Sequence, residues 1–250
     1  MQKQNPTKGF LIVASYTINF YRFAINLAES IRDYYPEAKI CLVTEKQYCD
    51  GRESVADDVI YCGGGYREKL WALSRTPYDI TCYIDADAEI RHNDITKVFD
   101  QLKDNDMLFV DIKEKYSKIF KIVSWPGGKM KLFGGIVLYD IRNPLVKSFM
   151  EDWYKYYIKQ RERTWWPDRH ENGSPNYDLH PQDMAIWDQF TLWWLSEKNT
   201  DYKNLKIGIF DESERWNYYS SYDIHFNIEV EPIVYHLSCV ANKGWNNKNE

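Results

Sequence analysis

The sequence predicts an α/β fold in which a mostly parallel central sheet is flanked by helices, with a smaller mixed part towards the C-terminus. Apolar runs of strand length recur through the first half of the chain, as in strands that are buried on both faces. Helical patterns separate these runs, and the connections are short, which is typical of β-α-β units. No internal repeat or low-complexity linker divides the 250 residues, so we expect a single domain.

Regular elements follow one another through the first half. Residues 9–16 (GFLIVASY) form a continuous apolar run, and the helix predicted at 19–34 places Phe23, Leu27 and Ile31 on one face. Pro36 then closes this helix. Further strands are predicted at 39–44, 58–62, 80–84 and 107–110, and further helices at 67–75 and 94–103.

The second half is less regular. Residues 131–139 are predicted as a strand that Gly134 and Gly135 break. Residues 164–181 are polar and aromatic, and their length indicates a functional loop or a partly disordered segment. The remaining predicted elements are helices at 144–160 and 183–197 and strands at 206–210 and 232–237.

Composition limits the possible functions. The chain has 32 Lys and Arg against 37 Asp and Glu, and this net charge of −5 disfavours a generally basic nucleic-acid-binding surface. Five Cys without CxxC spacing indicate reduced thiols in a cytoplasmic protein rather than disulfides or a zinc site. The polar N-terminus lacks the apolar core of a signal peptide, and no apolar stretch approaches the roughly 20 residues of a membrane span.

An acidic cluster of Asp85, Asp87 and Glu89 follows the predicted strand 80–84. In an open α/β sheet, ligands gather beyond the carboxyl ends of the strands. Asp85 and Asp87 share one side of an extended chain, and two converging carboxylates favour a divalent cation that can bridge to a diphosphate. The alternative is that one Asp caps the next segment and the others are solvated, because a DxD spacing also arises by chance. Glu89 receives no role.

Residues 77–90 (PYDITCYIDADAEI) resemble the metal-binding signature of GT-A-fold nucleotide-diphospho-sugar glycosyltransferases, and other motifs follow in the order of the family-8-like members. The resemblance implies a single Rossmann-like GT-A domain over residues 1–250. Residues 1–110 would form the nucleotide-binding half and 111–250 the donor-sugar and acceptor half. It further implies Mn²⁺ or Mg²⁺ held by the Asp85-Ala86-Asp87 segment, with Ala86 in the donor site.

The same resemblance assigns nucleotide contacts. The end of the first strand holds the base in this family, and Ala14, Ser15 and Tyr16 occupy that place here. Arg67 and Lys69 match by position a basic residue that touches the nucleotide. The alternatives are packing for Tyr16 and solvated helix charges for the two basic residues.

Residues 133–137 (FGGIV) resemble the family's strand beside the donor sugar, where Gly134 replaces an asparagine. Glycines in a strand allow the backbone to approach a ligand closely, although a β-bulge is the alternative. The departure leaves open which group contacts the donor sugar at this strand.

Asp188 and Gln189 resemble the family's D-Q pair near the reacting carbon. An Asp inside an apolar, Trp-rich helix is costly unless it is paired, which favours a functional role for Asp188. Asp183 is a nearby competitor, and it is equally suited to the start of a helix.

Residues 233–237 (IVYHL), followed by Lys243 and Trp245, resemble the family's H-x-x-G…K-P-W motif. The resemblance makes His236 the third protein ligand of the metal, places Lys243 on the diphosphate and puts Trp245 in the donor site. Gly244 replaces the family's proline, and the spacing from His to Lys is longer. A neutral imidazole suits Mn²⁺, and an ammonium suits a phosphate oxygen.

The resemblance implies transfer of a hexose from a UDP-sugar to a saccharide or other hydroxyl acceptor, with retention and with Asp188 as a candidate nucleophile. An inverting enzyme would instead need a base, for which Asp183 or Asp188 could serve. Trp165 and Trp166 would stack on an acceptor sugar or pack on the preceding helix.

Three other functions stay open. A glycosyltransferase acting on a modified nucleobase in phage DNA is disfavoured by the acidic balance. A nucleotidyltransferase or sugar-phosphate pyrophosphorylase is disfavoured because residues 15–20 (SYTINF) lack glycine and basic residues. A non-catalytic carbohydrate-binding protein would not need the acidic and histidine motifs.

Overall fold

A computed structural model of the protein describes residues 5–65, 67–111, 132–162, 188–219 and 230–237. The strands are β1 (Lys8–Ala14), β2 (Ile40–Thr44), β3 (Asp58–Tyr61), β4 (Ile80–Asp85), β5 (Ala88–Ile90), β6 (Met107–Asp111), β7 (Leu132–Asp140), β8 (Ile207–Ile209), β9 (Tyr218–Tyr219) and β10 (Val234–His236). The α-helices are α1 (Ile18–Tyr34), α2 (Glu68–Leu73), α3 (Pro144–Arg161), α4 (Asp188–Glu197) and α5 (Ser213–Trp216). Segments of 3₁₀ helix lie at Lys46–Tyr48, Arg52–Val55, Asn93–Leu102 and Thr200–Tyr202.

The central sheet has seven strands in the order β3-β2-β1-β4-β7-β6-β8. The first four pair in parallel, β6 and β8 also pair in parallel, and β7 is antiparallel to both β4 and β6. The mostly parallel sheet flanked by helices is therefore confirmed, with β7 as its reversed strand.

Alternate residues of β1 face two different core clusters, because successive side chains of a strand point to opposite faces. Phe10 and Ile12 pack in the cluster that contains the apolar face of α1. Leu11 and Val13 pack in the cluster that contains side chains of α2, α3 and α4. The sheet is covered on both faces, which explains why β1 and β2 are apolar along their length.

A second, three-stranded sheet has the order β5-β10-β9. β10 pairs antiparallel with β5, so that Val234 lies opposite Ile90 and His236 opposite Ala88. It pairs in parallel with β9 on its other side. Because β5 follows β4 after a two-residue turn, this small sheet brings the C-terminal strand to the carboxyl end of β4.

Several predicted elements are corrected. The helix predicted at 94–103 is a 3₁₀ helix over Asn93–Leu102. The sequence did not distinguish the two helix types, because an apolar period of about three to four residues fits both. Gly134 and Gly135 do not break their strand: β7 is continuous, and only its register with β6 shifts around them. The short elements β5, β9 and α5 were not predicted, because two to four residues are too few to show a period.

In the part of the chain that the structure describes, no helix is both long enough and apolar enough to cross a membrane.

Candidate active site

Strand β4 delivers Asp85 to the carboxyl end of the central sheet. The first five residues of β4 are buried, and Asp85 ends the strand with a partly exposed side chain. Ala86 and Asp87 form a tight turn that leads into β5. Since β1 runs parallel to β4, Ala14 ends its own strand at the same edge of the sheet. The acidic cluster thus lies where open α/β sheets bind ligands, as the sequence predicted.

The carboxylate of Asp85 is held through its Oδ1 atom. The hydroxyl of Tyr83 donates a hydrogen bond to Oδ1, and the Nζ atom of Lys69 donates another over 3.1 Å. Tyr83 is buried, and this burial together with the charge of Asp85 raises the pKa of the Tyr83 phenol well above its usual range. The phenol therefore keeps its proton and acts as a donor.

Lys69 lies between two carboxylates. Its Nζ atom is 3.1 Å from Oδ1 of Asp85 and 3.1 Å from Oδ2 of Asp188, and it donates to the carbonyl oxygen of Gly134 over 3.3 Å. The residue is only 9% exposed. Burial lowers the pKa of Lys69, but the two carboxylates, Asp188 first, outweigh burial and leave the pKa raised. The site therefore contains a buried ammonium that is charged at neutral pH.

Asp188 is the first described residue of α4, and it is more buried than Asp85 or Asp87. Burial alone would raise its pKa, but Arg67, whose Nε atom lies 3.6 Å from Oδ1, and Lys69 lower the pKa to about 2. The indole of Trp153 donates to the backbone carbonyl of Asp188 over 2.9 Å, which links α3 to α4. Asp188 is thus an ionised carboxylate between two cations, which offset the cost of burying its charge.

Gln189 ties α4 to β7 beside the two glycines. Its side-chain amide donates to the carbonyl oxygen of Leu132 and accepts from the amide of Gly134 over 3.4 Å. A Cβ atom at Gly134 would lie 2.8 Å from the ring of Trp153, in the core. A Cβ atom at Gly135 would lie 3.0 Å from Oδ2 of Asp85. Gly135, rather than Gly134, therefore borders the acidic turn, and the ring of Phe133 lies on the same side.

His236 lies beside the acidic turn because two strands pair there. It is opposite Ala88 in the ladder of β5 and β10, and the amide of Leu237 donates to the carbonyl oxygen of Asp87 over 2.7 Å. Its ring meets the ring of Phe133 edge-on at 6.5 Å. Burial, opposed by Asp85, lowers the pKa of His236 to about 4, so the imidazole is neutral at neutral pH.

Asp87 lies in the turn between β4 and β5, beside Asp85 and the strand that carries His236. Burial, followed by the charge of Asp85, raises the pKa of Asp87 to about 6. Two carboxylates and a neutral imidazole form a donor set that suits Mn²⁺ or Mg²⁺ in chemical type. Among the described residues, however, no three His, Cys, Asp or Glu side chains already form a cluster that could hold a metal ion.

The end of β1 is held by a carboxylate from the end of β2. Glu45 is buried, and its Oε1 atom accepts from the amide of Tyr16 over 2.5 Å. Tyr16 has a φ of 79°, and its side chain is 53% exposed. Ser15 donates through its hydroxyl to the carbonyl oxygen of Gly65 over 3.3 Å. The geometry leaves the ring of Tyr16 accessible at the ligand-binding edge, whereas Ala14 is fully buried.

Several predicted site residues lie outside the described residues: Asp183, Lys243, Trp245, Trp165 and Trp166. Their roles stay predictions. Two residues that the sequence reasoning missed lie in the site itself, Tyr83 and Glu45. Tyr83 precedes Asp85 by two positions on a strand, which places both on one face. Glu45 is a charged residue directly after a buried strand, and both patterns are readable in the sequence.

No protein-family model and no curated protein matches the sequence. Among solved structures, the glycosyltransferase GlyE of Streptococcus pneumoniae is similar over 93% of this chain, with a TM-score of 0.58 and 16% identity. The galactosyltransferase LgtC, in complex with donor and acceptor sugar analogues, is similar over 91% of this chain, with a TM-score of 0.56 and 14% identity. Mouse xyloside xylosyltransferase 1 is similar over 93% of this chain, with a TM-score of 0.51 and 13% identity.

These likenesses show the fold. The chain has the GT-A fold that these glycosyltransferases share, as the sequence predicted. It spans 54% of the GlyE chain, 86% of the LgtC chain and 98% of the xylosyltransferase chain.

Proposed function

We propose that this protein is a metal-dependent glycosyltransferase that moves a hexose from a UDP-sugar to a hydroxyl acceptor with retention of configuration. One observation carries the proposal: the pairing of β10 with β5 brings His236 to the turn that contains Asp87, at the carboxyl edge of a GT-A sheet. The pairing thus places a neutral imidazole from the C-terminal part of the chain beside the turn that contains Asp87.

Asp85, Asp87 and His236 would hold the divalent ion. The bound ion supplies positive charge that neutralises the departing nucleoside diphosphate. Lys243, with Trp245 beside it, would add contacts to the diphosphate from the C-terminal segment. Mn²⁺ is the proposed ion, with Mg²⁺ as its substitute.

Lys69 and Arg67 would orient the donor side of the site. Lys69 holds Asp85 and Asp188 at fixed positions, and Arg67 adds a second cation beside Asp188. Because the pKa of Asp188 is held at about 2, this carboxylate stays ionised at neutral pH. Asp188 therefore stabilises positive charge that develops at the anomeric carbon, and it is the candidate nucleophile. Asp183 is the alternative carboxylate on the acceptor side.

Gln189 and the two glycines would shape the donor-sugar pocket. Gln189 fixes the backbone of Gly134, and Gly135 lets β7 approach Asp85 without a side chain. Beyond the end of β1, the exposed ring of Tyr16 offers a flat face for a nucleobase, and Ser15 and Ala14 border it. These placements support a nucleotide-sugar that extends from the end of β1 to the start of α4.

The proposed location is the cytoplasm. The described cysteines, Cys41, Cys49, Cys62 and Cys82, are free thiols. Free thiols are usual in a reducing compartment.

The direct test is hydrolysis and transfer assays with a panel of nucleotide-sugars, with and without Mn²⁺. We expect one donor to be turned over only with the ion, and Asp87→Ala to abolish turnover. Asp79→Ala is the matched control. Asp79 lies just before β4, at the opposite end of the strand from Asp85, and its carboxylate accepts hydrogen bonds from the amide and the hydroxyl of Thr7. Turnover that is unchanged in Asp87→Ala would overturn the metal proposal, and an absence of turnover and binding for every donor would overturn the enzyme proposal. The anomeric configuration of the product, read by NMR, decides between retention and inversion.

A further inference from the structure

We propose that Tyr83 is a positioning residue, which holds the carboxylate of Asp85 through Oδ1 and leaves Oδ2 as the oxygen that would be offered to the ion of the proposed site. This inference rests on the proposed function, because it concerns how Asp85 would act in that site. It adds a residue from the sheet interior to the groups on which the reaction depends.

The sheet fixes the ring of Tyr83. Tyr83 pairs with Leu11 on β1 and with Val137 on β7, and all three belong to the same buried cluster. Two positions further along β4, Asp85 points to the same face. The phenol hydroxyl can therefore reach the carboxylate while the ring itself stays locked among its neighbours, and it donates to Oδ1.

A second donor lies on the same oxygen. The Nζ atom of Lys69 is 3.1 Å from Oδ1 of Asp85 and 5.7 Å from the centre of the Tyr83 ring. The hydrogen bonds described for the Asp85 carboxylate thus all end on Oδ1. A hydrogen bond to an ionised group is stronger than one between neutral groups, so the two donors hold the carboxylate in one orientation.

The other oxygen accepts none of the described hydrogen bonds. A Cβ atom at Gly135 would lie 3.0 Å from Oδ2 and even closer to the ring of Phe133, so the absence of a side chain at Gly135 lets β7 pack directly beside this oxygen. Tyr83 and Lys69 on one oxygen and Gly135 beside the other therefore determine which oxygen of Asp85 is presented. Lys69 also contacts Asp188. Among the described hydrogen bonds, the Tyr83 hydroxyl donates to Asp85 and not to Asp188.

The test compares Tyr83→Phe with the matched control Tyr139→Phe. Tyr139 is equally buried, and its hydroxyl donates to the backbone carbonyl of Leu73 over 2.6 Å, with no carboxylate involved. Binding of UDP, GDP and dTDP in the presence of Mn²⁺ is measured by calorimetry, and melting temperatures are measured without ligand. We expect Tyr83→Phe to weaken the best-bound diphosphate about tenfold, as for loss of a hydrogen bond to a charged group. Tyr139→Phe should lower the melting temperature but leave this affinity unchanged.

A double-mutant cycle with Asp85→Asn keeps the test independent of folding. If Tyr83 acts through Asp85, Tyr83→Phe should add little to the loss caused by Asp85→Asn. Equal diphosphate affinity in wild type and Tyr83→Phe, or additive losses in the cycle, would overturn the positioning role while leaving the proposed function intact. If the wild-type protein binds none of the three diphosphates with Mn²⁺, the proposed function fails and the inference fails with it.

Discussion

The backbone amide of Leu237 donates a 2.7 Å hydrogen bond to the carbonyl oxygen of Asp87. This bond extends the pairing of β10 with β5 into the acidic turn, so the last described strand of the chain is fastened to the end of β4. His236 is the residue just before the donor. The position of the imidazole beside the carboxylates is thereby a consequence of backbone pairing rather than of side-chain contacts alone.

His236→Ala should raise the Mn²⁺ concentration needed for half-maximal activity by about tenfold or more, because one of three ligands is lost. The assay is an Mn²⁺ titration of donor turnover. His92→Asn is the control: His92 caps the 3₁₀ helix by accepting from the amide of Asp94, and asparagine is an effective cap. An unchanged Mn²⁺ dependence in His236→Ala would remove His236 from the proposed ligands.

Lys69→Met should destabilise the protein by about 3 kcal/mol, because it leaves the buried Asp188 and the partly exposed Asp85 without their shared cation. Turnover should fall by at least about a hundredfold, as both carboxylates lose their orientation. Urea unfolding and donor turnover measure the two effects. Lys103→Met removes an exposed ion pair with Asp211 and should change stability by less than about 1 kcal/mol. A Lys69→Met protein as stable as this control would contradict the role of Lys69.

Gly134→Ala should cost about 1–3 kcal/mol of stability, since its Cβ atom would lie 2.8 Å from the packed ring of Trp153. The family's asparagine at this position should be tolerated even less. Gly63→Ala is the control, because a Cβ atom there meets nothing within 4 Å. Urea midpoints of both variants test the prediction, and equal midpoints would show that β7 moves to accept the side chain.

Asp57 should contribute stability that depends on pH. Burial opposes its ionisation, but Lys39, the amide of Ile40 and Arg32 together lower its pKa. A folded-state pKa below the unfolded value of roughly 3.9 stabilises the protein above that pH, and the contribution is lost as the pH falls through the folded value.

Asp57→Asn should therefore be less stable than wild type at pH 7, with a difference that shrinks in acid below about pH 4. Urea unfolding across this range is the measurement. Asp33→Asn, at an exposed position of α1, should show a much smaller difference at pH 7. A difference for Asp57→Asn that is constant with pH would mean that its carboxylate is not stabilised by these partners.

Much of the fold was readable in the sequence. Mostly apolar runs identified β1, β2 and β4, because strands that are covered on both faces carry mainly apolar side chains. The acidic residues after β4 and the histidine of β10 were likewise visible as charged or titratable groups at strand ends. By contrast, β5 is three residues long and has no period of its own.

The sequence by itself determined the α/β class, the residues of the acidic turn and the need of Asp188 for a partner, since an apolar helix disfavours an unpaired charge. Only the tertiary structure decided which partners these are: Lys69 between Asp85 and Asp188, and Tyr83 on the same oxygen as Lys69. It also decided that Gly135 rather than Gly134 lies beside Asp85. The physical reason is that an ion pair or a hydrogen bond forms only between groups that lie close together in space. The distances between groups on different strands and helices are set by the folding of the whole sheet.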